Sequence, residues 1–431
     1  MELNRISIGE AKKHLGETIT IAGWVSRTRD IGSIKFIMLR DATGEIQITV
    51  KPENPVNKEL VAQPLGREDV IEVRGRAEAS RIVHAGIEFT PDALIPLNRS
   101  KQPLPFDVSG QVKAELETRL NYRFMDFRTP HTSSIFKIQH VLLESFRRFL
   151  VDRGFIEIQP PCIIASASEG GAELFKIPYF EREAYLAQSP QLYKQMCAIS
   201  FEKVFTVVPI WRAEKFNTPT HLNEVRQMDI EQAFADDETV MSLLEELFVH
   251  VLGAVKDRCP AELKALNRTI KVPELPLRRM TYTEAIELLS GRGEDITWGD
   301  DLAKAQERLL YETVGSEAFF VKDWPAAQKA FYAMPHKEDQ NIVHAFDLIY
   351  NGIEICSGTQ RIHLPELLRE RLRVKGLNPD DFVHYIESFS YGAPPHAGWS
   401  IGLERLTMTV TGQGNIRECC MFPRDRDRLV P

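Results

Sequence analysis

The sequence predicts an α+β protein of two domains: a small closed β-barrel, then a larger domain built on an antiparallel sheet flanked by helices. Three observations carry this. Short alternating strands crowd residues 1–105. Pro103 and Pro105 mark a boundary. Beyond it, strands fall next to one another without regular β-α-β alternation. A chain of 431 residues is also too long for one core. With 43% hydrophobic and 26% charged residues it is globular rather than disordered.

Taken in order, 19–25, 34–40 and 45–50 alternate as strands, with Asp30-Ile-Gly-Ser and Asp41-Ala-Thr-Gly as turns. Strands at 70–77 and 86–96 complete five, the number of an OB fold. The expected domains are therefore 1–105, a hinge at 106–131, and 132–431. Segments 116–122 and 133–151 read as helices, the second with apolar residues at 135, 138, 142, 146, 149 and 150. Strands are expected at 155–158, 203–212, 224–234, 342–349, 352–357 and 382–388. Helices are expected at 238–257, at 301–313 and from near Gly402. Residues 258–340 carry the least pattern.

No apolar run approaches the ~20 residues of a membrane span. Met1-Glu-Leu-Asn-Arg5 lacks a signal peptide's apolar core. Six scattered cysteines without Cys-x-x-Cys suit a reducing cytoplasm and no structural metal. The net charge of −8 sits beyond the barrel, because residues 1–105 hold 15 basic and 14 acidic residues. A local basic surface for a polyanion is thus compatible with the total. No glycine-rich phosphate loop follows a strand, so a nucleotide here must be held by charged side chains.

Four constellations could carry chemistry. In Ile210-Trp-Arg-Ala-Glu214, Arg212 and Glu214 share one face of a strand end. They suit a phosphate and an amine, or form a surface ion pair beside a hairpin. In Asn351-Gly-Ile-Glu-Ile-Cys-Ser-Gly-Thr-Gln-Arg361, Glu354 interrupts an apolar strand, which is costly unless it is paired or bound to a cation. Glu354 and Ser357 are hard oxygen donors suited to Mg2+ on a nucleotide. A buried Glu–Arg pair is the other reading. Gly398-Trp-Ser-Ile-Gly-Leu-Glu-Arg405 sets Arg405 in a helix's first turn, where the dipole disfavours a cation unless an anion compensates. Ser168-Glu-Gly-Gly-Ala-Glu-Leu-Phe175 carries Glu169 on a lid or an ordinary turn. Just beyond it, Lys194 in an apolar stretch either meets an anion or snorkels to the surface.

Their joint order resembles the class II aminoacyl-tRNA synthetases, and among them the aspartyl-tRNA synthetases of archaeal type. Phe155-Ile-Glu-Ile-Gln-Pro-Pro161 resembles motif 1. Trp211-Arg-Ala-Glu with His221-Leu-Asn-Glu resembles motif 2, and Gly402-Leu-Glu-Arg405 motif 3. Ala187-Gln-Ser-Pro-Gln-Leu-Tyr-Lys194-Gln has the aspartyl form; asparaginyl relatives usually lack the lysine. The ending Phe422-Pro-Arg-Asp-Arg-Asp-Arg-Leu-Val-Pro431 is also aspartyl-like. A substrate carboxylate wants two cations, Lys194 and Arg361, which a neutral amide would leave underpaired.

The resemblance implies ATP-dependent activation of L-aspartate to aspartyl-adenylate and transfer to the 3′ end of tRNA. It implies Mg2+, a homodimer and a cytoplasmic setting. Arg212 would hold the α-phosphate and Arg405 the far phosphates of a bent ATP. Glu214, His221 and Leu222 would meet adenine, with Gly402, Leu403 and Glu404 completing the ATP site. Glu354 and Ser357 would hold Mg2+, with Asp347 a weaker candidate. Glu169, Gln191, Lys194, Arg212, Ser357 and Arg361 would surround aspartate. In the barrel, Arg29, Phe36, Gln47 and Glu88 would meet the anticodon; Phe36 is either a stacking platform or barrel core.

There are departures. Thr220-His-Leu222 stands where the family reads Arg-His-Leu, removing a phosphate-binding cation that His221 or Lys215 would have to replace. Residues 395–400 are less glycine-rich than usual. Ser26 and His84 match neither the strict nor the relaxed pattern of tRNA choice, so charging of tRNA-Asn stays open. Rival readings are an asparaginyl-tRNA synthetase, an asparagine-forming ligase without tRNA, and a catalytically impaired RNA-binding paralogue. The barrel opposes the second, and intact Arg212, Glu354 and Arg405 oppose the third.

Overall fold

Alternation closes the first unit into a barrel. In a computed structural model, described over residues 4–80, 86–165 and 174–431, five strands pair in the order β1-β2-β3-β5-β4. They are β1 (Thr18–Ile31), β2 (Ile34–Arg40), β3 (Glu45–Val50), β4 (Val70–Ala79) and β5 (Ile87–Asn98). Every second side chain, among them Val25, Ile37, Leu39, Ile46, Ile48 and Phe89, fills the interior. Phe36 pairs with Arg29 on one side and Thr49 on the other, next in sequence to the inward-facing Ile37, and lies on the outer face, half-buried. It is therefore not barrel core. Gln47 pairs with Met38 and Glu88 on the same outer face.

The chain divides into Met1–Thr129 and Pro130–Pro431. Residues expected as hinge thus cluster largely with the barrel, for an electrostatic reason: Arg128 meets Glu68 at 2.8 Å and Arg67 pairs with Asp107. His84 and Glu169 lie outside the described residues.

The second unit has two sheets. β7 (Ile163–Ile164), β8 (Lys176–Tyr179) and β9 (Arg182–Leu186) form a small one in the order β7-β9-β8. The large one comprises β6 (Ile156–Glu157), β10 (Lys203–Trp211), β11 (Glu224–Ala233), β12 (Arg278–Thr281), β13 (Ala318–Pro325), β14 (Ile342–Tyr350), β15 (Ile353–Arg361) and β16 (His396–Gly402). Its order is β12-β13-β14-β15-β16-β11-β10-β6. Its described pairings are antiparallel except β12–β13 and β10–β6. The helices Pro130–Val151 and Asp237–Arg258 bury Phe146, Leu150, Leu244 and Phe248 against Phe205, Ile230, Phe346 and Trp399. Trp399 donates its ring N–H to the Val240 carbonyl at 3.1 Å, so its burial leaves no unmet donor. Losing such a ring costs about 3–5 kcal/mol.

The expected strand at 382–388 is instead a helix, Val383–Phe389. Phe382, Tyr385, Ile386 and Phe389 are all buried in one cluster at helical spacing, and that period outweighs β propensity. Strand β16 was not expected, because Ala397-Gly-Trp-Ser breaks the polar–apolar alternation. Residues 258–340 hold β12, β13 and the helix Tyr282–Gly291, begun by a Thr281–Glu284 capping box. No helix among the described residues is long and apolar enough to cross a membrane.

Candidate active site

One face of the large sheet packs on helices; the other lines a cavity of about 340 Å³. Period-two geometry divides the residues. On β11, Met228 and Ile230 enter the core, whereas Gln227 and Asp229 line the cavity and Glu231 lies behind it. On β15, Ser357, Thr359 and Arg361 share the cavity face. Glu354 would point the other way, but the register slips between Leu348 and Ile349, which pair with Cys356 and Glu354. This bulge turns Glu354 onto the cavity face as well.

Lys194 and Arg361 sit deep in this site, 1% and 3% exposed. Neither waits unpaired for a substrate carboxylate, as the sequence suggested. Lys194 Nζ lies 3.0 Å from Asp229 and 3.6 Å from Glu231. Arg361 forks onto both Glu231 oxygens at 2.9 and 3.1 Å. Buried cations without counter-charges would be prohibitive, so the fold supplies two carboxylates. Burial alone would raise Glu231, yet Arg361 and Lys194 hold its carboxyl below the ordinary value. Gly398 makes this possible: a Cβ there would lie 2.4 Å from a Glu231 oxygen. Lys194 has three N–H donors, so one remains for a ligand. Asp229 Oδ1 and Gln227 Oε1 are buried acceptors without a partner among the described residues. They suit an ammonium group.

Further along, Glu354 gathers carboxylates. Its backbone N–H donates to Glu307 at 3.0 Å. Burial, with Glu354 and Asp347 nearby, pushes Glu307 up to about 7. Asp347 is likewise raised to about 6, by burial and by Glu354, against the pull of Lys329 at 2.6 Å. Glu354 itself is half-buried rather than enclosed, and its ion pair is with Arg405, at 3.5 Å, not Arg361.

Cations gather beside these carboxylates. Arg212 lines the cavity, and Arg405 donates to the Glu354 carbonyl at 3.0 Å. His221 bonds Thr218 at 2.6 Å and is pushed down to about 4 by burial, Lys304, Arg405 and Arg212. It is neutral at pH 7 and cannot replace the missing motif 2 cation; Lys215 is exposed.

The other expected residues divide between the cavity and its surroundings. Gln191 lines the cavity and bonds Gln195 at 2.8 Å. The Glu214 carbonyl accepts from Asn223 at 2.9 Å. Leu222 and Leu403 are buried in apolar clusters. The carboxylate of Glu404 accepts the Arg226 N–H at 2.9 Å, and burial raises it to about 7. Sequence reasoning missed Asp229 and Glu231, whose alternation reads as a solvent-facing strand. It also missed Glu307, Lys304 and Lys329, in the stretch without motifs.

Near the start of helix Asp237–Arg258, Asp323, His336 and His344 bring donor atoms within 4.8 Å. The two rings stack at 3.9 Å and 7°, so their in-plane lone pairs do not meet at one point. Asp237 holds His344 at 3.3 Å and raises its pKa.

Residues 115–426 match the family described as class II tRNA synthetases (D, K and N), and 19–97 match the OB-fold nucleic acid binding domain. The chain belongs to the class II tRNA synthetases. Among its relatives are proteins named aspartate–tRNA(Asp/Asn) ligase. That of Methanothermobacter thermautotrophicus is 48% identical over 96% of this chain and 95% of its own. That of Archaeoglobus fulgidus is 46% identical over 99% and 100%. Among solved structures, asparaginyl-tRNA synthetase of Pyrococcus horikoshii with asparaginyl-adenylate superposes with a TM-score of 0.94, at 32% identity and full coverage of both chains. Aspartyl-tRNA synthetase of Entamoeba histolytica gives 0.88, at 34% identity over 99% and 93%.

Proposed function

We propose that this chain is an aspartate–tRNA ligase. The observation that carries the reading is the buried Lys194–Arg361 pair at the end of the cavity, in a chain whose relatives at 46–48% identity bear aspartate-ligase names. The asparaginyl reading draws on the folds of solved asparaginyl-tRNA synthetases at 28–32% identity.

In the first step the α-carboxylate of aspartate attacks the α-phosphorus of ATP, forming aspartyl-adenylate and releasing pyrophosphate. No covalent nucleophile is needed, only alignment and charge stabilisation. Asp229 and Gln227 receive the ammonium group, and Lys194 and Arg361 receive the side-chain carboxylate. Arg212 forks onto the α-phosphate where negative charge builds, and Arg405 meets the outer phosphates. In the second step a terminal ribose hydroxyl of tRNA attacks the adenylate carbonyl and AMP leaves. The barrel's outer face, with Phe36, Gln47, Glu88 and Arg29, meets the anticodon.

Asp347 Oδ1 is buried without a partner among the described residues, and Glu354 and Ser357 add oxygen donors. This all-oxygen set fits Mg2+, which would neutralise phosphate charge there. We further propose a homodimer working in the cytoplasm. Both tRNA-Asp and tRNA-Asn are proposed acceptors, following the relatives' names. Charging each purified tRNA with labelled aspartate tests this. Ester formed on either supports the ligase reading, and on neither refutes it.

A further inference from the structure

We propose that Lys304 is a nucleotide-phosphate-binding residue, supplying the positive charge that Thr220 does not; this rests on the ligase reading above. Lys304 opens the helix Lys304–Val314. Its ammonium contacts Thr220 Oγ1 and, among the described residues, forms no ion pair. The position is fixed by the candidate site itself. One turn along the same helix, Glu307 accepts the Glu354 N–H at 3.0 Å, and Glu354 in turn holds Arg405. The start of the helix is thereby held near Arg405 and the loop of His221.

Lys304 thus reaches the loop through Thr220, the neighbour of His221, and Lys304, Arg405 and Arg212 all add to burial in lowering that histidine's pKa. Like charges brought together repel; Glu354 offsets this at Arg405, and a polyanion would relieve what remains. A lysine in a helix's first turn also opposes the dipole, and a neutral hydroxyl does not compensate it. In the proposed reaction the polyanion is a nucleoside triphosphate. Side by side, Lys304 and Thr220 do what one longer cation on the loop would do. No sequence motif announces this, because Lys304 is 84 residues from Thr220.

Calorimetric binding of ATP to the full-length chain tests the assignment. Lys304→Gln should weaken ATP binding about tenfold, the scale of one charge-assisted hydrogen bond. Lys304→Arg should retain most of it. The double variant Lys304→Gln/Thr220→Arg should recover it by placing the cation on the loop. In aspartate-dependent ATP–pyrophosphate exchange, the rise should fall on KM for ATP and spare KM for aspartate. Unchanged ATP binding in Lys304→Gln overturns the proposal. So does an equal loss for both substrates with a lowered melting temperature, which is what a purely structural lysine gives. Exchange by the wild type reads the ligase reading separately: if it is absent while ATP binding depends on Lys304, the parent reading fails and the phosphate site stands.

Discussion

Lys194→Met separates two roles that the structure superimposes. Lys194 is 1% exposed, and its ammonium stands 3.0 Å from Asp229 and 3.6 Å from Glu231. Removing it leaves Glu231 paired with Arg361 and Asp229 without a cation among the described residues. Breaking a buried pair in this way costs about 3–5 kcal/mol, so the melting temperature should fall clearly. If Lys194 also receives the substrate carboxylate, discrimination against asparagine should shrink from a ratio on the order of 10⁴. The double variant Lys194→Met/Asp229→Asn removes both charges of the closer pair. It should regain much of the stability without regaining discrimination. The assays are thermal melting and amino-acid-dependent ATP–pyrophosphate exchange with each substrate. A stability loss with an unchanged Asp/Asn ratio would refute the recognition role and leave Lys194 as a strut for β11.

Glu354→Gln should barely move the melting temperature, since its ion pair with Arg405 is long and partly exposed, worth about 0–1 kcal/mol. Adenylate formation should nonetheless fall and shift its Mg2+ dependence; a stability loss with normal activity would speak against metal binding. Phe36→Ala should reduce charging about 5- to 150-fold through lost base stacking. It should leave tRNA-independent exchange and melting intact, because the ring lies outside the barrel core; parallel loss of exchange and charging contradicts this. His344 donates its Nδ1–H to the Asp237 carboxylate, with Asp323 and Lys322 also facing it, and its pKa lies above the ordinary 6.5. The contact is therefore at full strength below pH 6.5 and is lost as pH rises through the raised value. Melting curves from pH 6 to 8 should show the wild type losing ground to His344→Gln; parallel curves would contradict it.

The barrel was legible because strict alternation at 34–40 and 45–50 admits only one inward face. The helix at 383–389 was misread although its apolar spacing was in plain view, because short aromatic-rich runs satisfy both periods. Within the site, Arg212, Lys194, Glu354 and Arg361 announced themselves as charges in apolar or strand-end contexts. Their partners did not. Asp229 and Glu231 sit on alternate positions of β11 and resemble a solvated face until Arg361 of β15 and Lys194 of the helix Gln191–Phe201 reach them. The β15 bulge, which decides where Glu354 points, depends on pairing with β14 and has no local signal. Glu307 and Lys304 join the site only through contacts reaching 47 and 84 residues along the chain.

The central claim is that the buried charge network selects a carboxylate side chain. ATP–pyrophosphate exchange on the purified full-length chain, with aspartate and asparagine compared at equal concentration, tests it most directly. The account predicts robust exchange with aspartate and, at equal enzyme, exchange with asparagine lower by a factor on the order of 10⁴. Comparable exchange with both amino acids, or a preference for asparagine, would contradict it.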